Sequence, residues 1–273
     1  MDRYRKLFDA IERERPAGVF LGGDLLPSGF GLAGAEHGVE DFVADVLVRE
    51  FSRLAEDLGH DYPAVFLILG NDDPRVEEAR LVEHAGRGLW QYAHGRRLPW
   101  SSFDICGYSC IPPTPFRLKD WERYDVSRFV DPGCSSPEEG WRTVAADEHE
   151  VQYGTIQKDL DLLAADAAFE RAILLFHCPP YKGSLDRAAL DGVMVDYAPV
   201  DVHVGSIAVR RFIERRQPLV TLHGHVHESA RLTGEWRERI GRTHAFSAAH
   251  DGSELALVRF DPEDLDAATR ELL

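Results

Sequence analysis

"LHGHVHES", Leu222 to Ser229, places three histidines at alternate positions, His223, His225 and His227, with Gly224 and Val226 between them. In a continuing strand alternate residues share a face, so the three imidazoles would line one side. The preceding "PLVTL" (218–222) is a short apolar run rich in strand formers, and Gly224 interrupts it as the histidines begin. The stretch reads as a buried strand that ends in a loop. Open α/β sheets bind ligands beyond the carboxyl ends of their strands, and neutral imidazole is the commonest protein metal ligand. The segment therefore points to a metal site at a strand end.

Three other strand ends repeat the pattern. "GVFLGG" (18–23) is followed by Asp24, "AVFLIL" (64–69) by Gly70 and Asn71, and "AILLF" (172–176) by His177. Taken singly, each has an ordinary explanation: an aspartate after a strand commonly makes a turn or caps a helix, and a buried histidine commonly packs in a core. Four ligand-type residues at four strand ends of one sheet are hard to explain that way. One carboxylate, one amide oxygen and several imidazoles suit borderline divalent transition metals, whereas calcium takes more oxygens.

The connections between these strands read as helices. Tyr4, Leu7, Phe8 and Ile11 fall at helical spacing, which predicts an amphipathic helix ending before Pro16. Phe42, Val43, Val46, Leu47 and Leu54 mark another, after the Gly-rich stretch 24–38, and further helices are expected over 152–165 and 205–216. Strands alternating with helices imply an α/β fold with a largely parallel central sheet layered with helices. Residues 89–110 and 242–261 each carry two strand-like runs, expected as antiparallel additions near sheet edges. Residues 112–150, with five prolines, read as a loop-rich insertion in a single domain spanning 1–273.

Composition narrows the function classes. At 44% hydrophobic, 273 residues can bury one sizeable core. The 47 acidic against 31 basic side chains give a formal charge of -16, which argues against sequence-independent binding to nucleic acid or anionic membranes. The N-terminal segment is charged throughout and no apolar run approaches the roughly 18 residues of a membrane span, so a cytoplasmic protein is expected. Cys106, Cys110, Cys134 and Cys178 follow no zinc-site spacing and are expected to be reduced packing residues.

Together, "GGDLLP" (22–27), "GNDD" (70–73), "FHCPP" (176–180) and "HGHVHES" (223–229) resemble, in order and spacing, the GD, GN-H-D/E, H and GHxH blocks of the calcineurin-like metallophosphoesterases. The likeness is closer to their small bacterial and archaeal phosphohydrolase branch. It implies a four-layer sandwich and two divalent transition metal ions, drawn from Mn, Fe, Zn or Ni, that share a hydroxide able to attack phosphorus in line. Carried over residue by residue, Asp24 bridges the two metals, Asn71, His177 and His225 complete one shell, and His227 binds the other metal. His223 has no family role and is expected to support the site or pack. The implied reaction is hydrolysis of a phosphomonoester or phosphodiester, on a small molecule or a nucleotide. Two cations about 3.5 to 4 Å apart acidify a shared water and neutralise charge building on phosphoryl oxygens.

Two departures bear on that transfer. The family's GN block is usually followed by a histidine that contacts phosphate or helps protonate the leaving group; here Asp72 occupies that position, a candidate general acid beside Asn71. The family also begins with a strand ending in Asp-x-His, which supplies the His227-side metal, and no such strand precedes the first helix here. The expectation is a reading frame that continues upstream of the Met1 codon and encodes it, the chain as given holding one metal and turning over weakly. The alternative is a non-catalytic or metal-deficient binding protein of the same fold. Arg117, Lys119 and Arg123 could reach a phosphate but read more simply as a solvated charged surface, and Lys182 is treated alike. His37, His84, His94, His203 and His250 have no assigned role.

Overall fold

The structure is a computed structural model and describes residues 2–27, 41–165 and 168–273. His37 and most of the Gly-rich stretch lie outside the described residues. In chain order, α1 (Asp2–Glu14) leads to β1 (Gly18–Gly22), a π-helical stretch (Val43–Val48) runs into α2 (Arg49–Leu58), and β2 (Ala64–Ile68) is followed by α3 (Glu78–Ala85). Next come β3 (Gln91–Tyr92), β4 (Arg97–Trp100) and β5 (Phe103–Tyr108), then a long segment without helix or strand that ends at α4 (Glu148–Tyr153). After α5 (Ile156–Leu163) and β6 (Ala172–Phe176), a small hairpin of β7 (Met194–Val195) and β8 (Ala198–Pro199) precedes α6 (Ile207–Arg216) and β9 (Val220–His223). The chain closes with α7 (Ser229–Thr233), β10 (Arg237–Ile240), β11 (Thr243–Ser247), β12 (Ala256–Asp261) and β13 (Asp264–Leu272).

The parallel strands divide between two sheets. One is β1-β2-β3, all parallel; the other runs β10-β11-β9-β6-β5-β4, with β11, β9, β6 and β5 parallel and antiparallel strands at both edges. Period-two alternation explains why the sheets stack. Phe20, Phe66, Ile105, Ile173, Val220 and Phe246 point into a core shared by both sheets, where Phe20 stacks on Phe66 at 5.5 Å. Their neighbours Val19, Leu21, Val65, Leu67, Leu174 and Phe176 point the other way, into a core with the helices. There Phe8 of α1 meets Phe51 of α2 edge-on at 5.3 Å, and Phe212 of α6 meets Phe176 at 6.0 Å. The result is helices, sheet, sheet, helices.

Several expectations need correction. The helix expected over 152–165 is two, because Gly154 is extended and Thr155 caps a new helix through its hydroxyl, which accepts from Lys158 N. The runs in 89–110 do form a hairpin, but β5 is interior, parallel to β6, because its residues Ile105, Cys106 and Tyr108 are apolar on both faces. The runs in 242–261 do not pair with each other: β11 lies between β9 and β10, and β12 pairs with β13.

The segment between β5 and α4 is held by buried polar groups rather than by ladders. Lys119, fully buried, pairs with Glu122 at 2.5 Å and donates to the carbonyls of Thr114 and Ser135. Asp120 accepts from Arg75 N and Thr143 N, each at 2.8 Å, which ties the segment to the turn after β2. Lys119 is therefore an internal strut, not a solvated surface residue. Arg123 is committed too, to Glu150 and Asp159, each at 2.8 Å; Arg117 and Lys182 are exposed.

Candidate active site

β1 and β2 run parallel in register from Gly18 opposite Ala64 to Gly22 opposite Ile68, so Asp24 and Asn71 emerge side by side. In the other sheet β6 and β9 are likewise parallel, with Leu175 opposite Leu222, so His177 and the histidine loop emerge together. The four strand ends thus belong to two sheets and meet where these stack, not along one sheet edge. Nδ1 of His177 donates to the Gly22 carbonyl at 2.8 Å, joining the sheets across the site. That approach needs glycine: a Cβ on Gly23, at φ +100°, would sit 2.5 Å from His177 Nδ1, and one on Gly70 2.3 Å from Asp24 Oδ1.

Asn71 Oδ1 lies 2.9 Å from His177 Nε2 and 2.7 Å from His225 Nδ1, while Asn71 Nδ2 donates to Asp72 Oδ1 at 2.8 Å, which orients the amide. Asp24 Oδ2 is 3.3 Å from His177 Nε2 and 3.9 Å from His227 Nε2, and its Oδ1 accepts from Asp72 N at 3.0 Å. Asp24 and His225 both adopt the left-handed region, at φ +52° and +68°, strain of the kind that gathers at functional sites. His177 is buried, Asp24 nearly so, and the His227 side chain is 48% exposed.

The electrostatics follow from that packing. Burial alone would raise the Asp24 carboxyl, but the charge and hydrogen bond of His177 and the Asp72 amide hold it well below the usual carboxylate range. His177 is driven down by burial and up, more strongly, by Asp24, to about 9. His225 is pushed down to about 3 by burial and by the neighbouring His177 charge. Asp72 is raised, by burial and then by Asp24. A carboxylate, an amide oxygen and two imidazoles converge, a donor set that favours positive charge at its centre. That donor chemistry fits one divalent cation, and the Gly22 bond already fixes His177 with Nε2 toward the cluster. Among the described residues no three His, Cys, Asp or Glu side chains close around one point, and Asn71 Oδ1 is hydrogen-bonded to both imidazoles.

The third histidine turns away. His223, buried, bonds the Cys178 carbonyl at 3.0 Å and the Thr221 hydroxyl at 2.8 Å and stacks on Phe176, so it packs beneath the His177 loop. His94 packs on Trp121 with centroids 5.0 Å apart, and His203 bonds Asp186 at 2.8 Å. All four cysteines are free, and all but Cys134 are buried. Sequence reasoning missed Asp73, fully buried, which accepts from Gly70 N, Leu25 N and Leu26 N at 2.8 to 3.1 Å and so ties the Asp24 loop to the Asn71 loop. It also missed Asp186, which accepts from Lys182 N, Gly183 N and Gly205 N and shapes the loop after His177. The only local signal was an aspartate beside a proline in "NDDP".

A cleft of about 690 Å³ opens on Asp24, Asn71, Asp72, His225 and His227. With these strand ends in place, comparison with known proteins is decisive: the family model of calcineurin-like phosphoesterases matches residues 1–229, which includes every residue of the cluster. The chain belongs to that family. Membership supports a phosphoesterase function in general, and the family generally binds divalent metals. Among solved structures, TT1561 of Thermus thermophilus is similar at 16% identity over 100% of this chain and 92% of that one, with a TM-score of 0.51, a likeness of fold. No curated protein matches the chain. Among the described residues no helix is long and apolar enough to cross a membrane.

Proposed function

We propose that this family member hydrolyses a phosphomonoester or phosphodiester with divalent transition metal bound at the strand-end cluster. The observation that carries the reading is the convergence of Asp24, Asn71, His177 and His225 from two sheets, linked by contacts of 2.9 Å (Asn71 to His177), 2.7 Å (Asn71 to His225) and 3.3 Å (Asp24 to His177). Those four would hold one ion, and Asp24 with His227 would contribute to a second. When bound, such cations lower the pKa of a water and neutralise charge building on phosphoryl oxygens. The protein's own groups do the rest. Gly22 holds His177, Asp72 holds the Asn71 amide, and the Asp72 backbone N–H holds Asp24. The Asp72 carboxyl, raised by partial desolvation at the cleft wall and by Asp24, lines the cleft, where it would give its proton to the leaving-group oxygen.

Asp24→Asn is the direct test. Asparagine tolerates the left-handed backbone at this position, so the fold should persist with an unchanged circular dichroism spectrum. Manganese bound per chain should fall and turnover of an aryl phosphate ester should drop to background. Full metal content and turnover in that variant would remove the basis for the site. A second reading, a metal-deficient binding protein, is favoured by one observation: His227 is half-exposed and 3.9 Å from Asp24, with no closed group of ligands around it among the described residues. It predicts at most one metal per wild-type chain and no turnover.

A further inference from the structure

Two facing walls of the cleft beside the strand ends carry apolar side chains. The segment between β5 and α4 supplies Pro113, Phe116 and Phe129, and the segment reaching β7 supplies Leu190, Val193 and Val195. Phe116, Phe129 and Val193 remain 59%, 69% and 40% exposed, large apolar side chains facing water across one opening. Contiguous exposed apolar surface continuous with a polar site marks a place where an apolar group is taken up.

Charge sharpens the point. The described lining includes six carboxylates, Asp24, Asp72, Asp125, Asp131, Asp201 and Glu228, and no lysine or arginine. Of the basic residues on the flanking segments, Lys119 and Arg123 are held in ion pairs, and Arg117 and Lys182, though exposed, are not among the lining residues. A ligand with several phosphates would therefore meet carboxylates along the described lining, and the strand-end cluster is where a bound cation would offset its charge.

We infer that the substrate is a phosphate ester whose esterifying group is apolar, an alkyl or aryl chain lying between these two walls, and whose single anionic group is the phosphate at the strand ends. The inference rests on the phosphoesterase reading above and names the substrate class of that site. A cleft of about 690 Å³ is large enough for such a chain. Each methylene buried there strengthens binding by about fourfold.

The test compares methyl and hexyl p-nitrophenyl phosphate, which share a leaving group, on the full chain supplied with manganese. The hexyl ester should show at least about tenfold higher kcat/KM. In a Phe129→Ser, Val193→Ser double variant, the ratio of the two esters should fall toward one. Calorimetric titration with hexylphosphonate and methylphosphonate reads the same preference without catalysis, with ATP as the polyanionic comparison. Equal kcat/KM for the two esters, or ATP binding tighter than hexylphosphonate, overturns the inference while leaving phosphoesterase activity standing. If neither these diesters nor the monoester p-nitrophenyl phosphate is hydrolysed, a hexylphosphonate affinity at least about tenfold above that of methylphosphonate upholds the apolar cleft and removes the hydrolytic reading. Equal binding of the two phosphonates overturns the inference in that case too.

Discussion

Gly70 is the tightest point of the candidate site. A Cβ there would stand 2.3 Å from Asp24 Oδ1 and 2.5 Å from His177 Cε1, inside any allowed contact, so Gly70→Ala must push the two ligand-type side chains apart. Metal content should drop in that variant, as it should in Asp24→Asn, while unfolding remains a single cooperative transition; a Gly70→Ala protein with wild-type metal content would show that the loops separate at no cost to the site. The neighbouring carboxylates divide the work. Asp73 is buried and accepts three backbone N–H groups, whereas Asp72 is exposed on the cleft. If Asp72 donates the leaving-group proton, Asp72→Asn should slow alkyl esters about a hundredfold or more and p-nitrophenyl esters only a few-fold, since p-nitrophenolate leaves without help. Equal slowing of both would exclude the proton role. Adjacent aspartates, like His223 and His225, are indistinguishable by residue type; only their burial and partners separate them.

Among the elements, the segment between β5 and α4 shows how irregular chain is fixed. Its centre is a buried ion pair, Lys119 with Glu122, supported by the Thr114 hydroxyl and the carbonyls of Thr114 and Ser135. Removing one partner leaves the other charge buried and uncompensated, so Lys119→Ala should lower stability by about 3 to 5 kcal/mol, read from the shift of the urea midpoint at constant slope. A shift below about 1 kcal/mol would mean that water reaches Glu122 and the strut is dispensable. The same segment positions α6: Asp125 accepts from Ser206 Oγ, Ile207 N and Ala208 N, capping the helix whose far end leads into β9. Five prolines announced a loop, but no periodicity announced that it would wall the cleft and cap a distant helix.

For the whole molecule, pH dependence reports how deeply polar groups are set into the core between the layers. Nδ1 of His94 accepts from Ser109 N, and burial, followed by the charges of Arg75, Arg123 and Arg96, pushes the imidazole down from 6.5 to about 3. The folded state thus binds this proton more weakly than the unfolded chain. The stability it contributes is complete above about pH 6.5 and is lost as pH falls from there toward 3, by up to about 1.4 kcal/mol per pH unit. Urea unfolding between pH 7.5 and 5.5 should show this loss in the wild type and a shallower one in His94→Asn, whose amide oxygen can still accept from Ser109; parallel slopes would mean that His94 titrates freely. At this scale the sequence by itself determined the alternation of strands and helices, the apolar face of α1, and the four strand ends that carry Asp24, Asn71, His177 and His225. Those are local patterns, written in periods of two and of 3.6 residues and in the glycine that ends a strand. Tertiary structure alone decided that the four ends come from two stacked sheets, which histidine turns inward, and that Lys119 is buried while the described lining of the cleft has no lysine or arginine. The site depends on contacts between distant positions, 106 residues apart for Asn71 with His177 and 154 for Asn71 with His225, and no local period encodes a meeting at that separation.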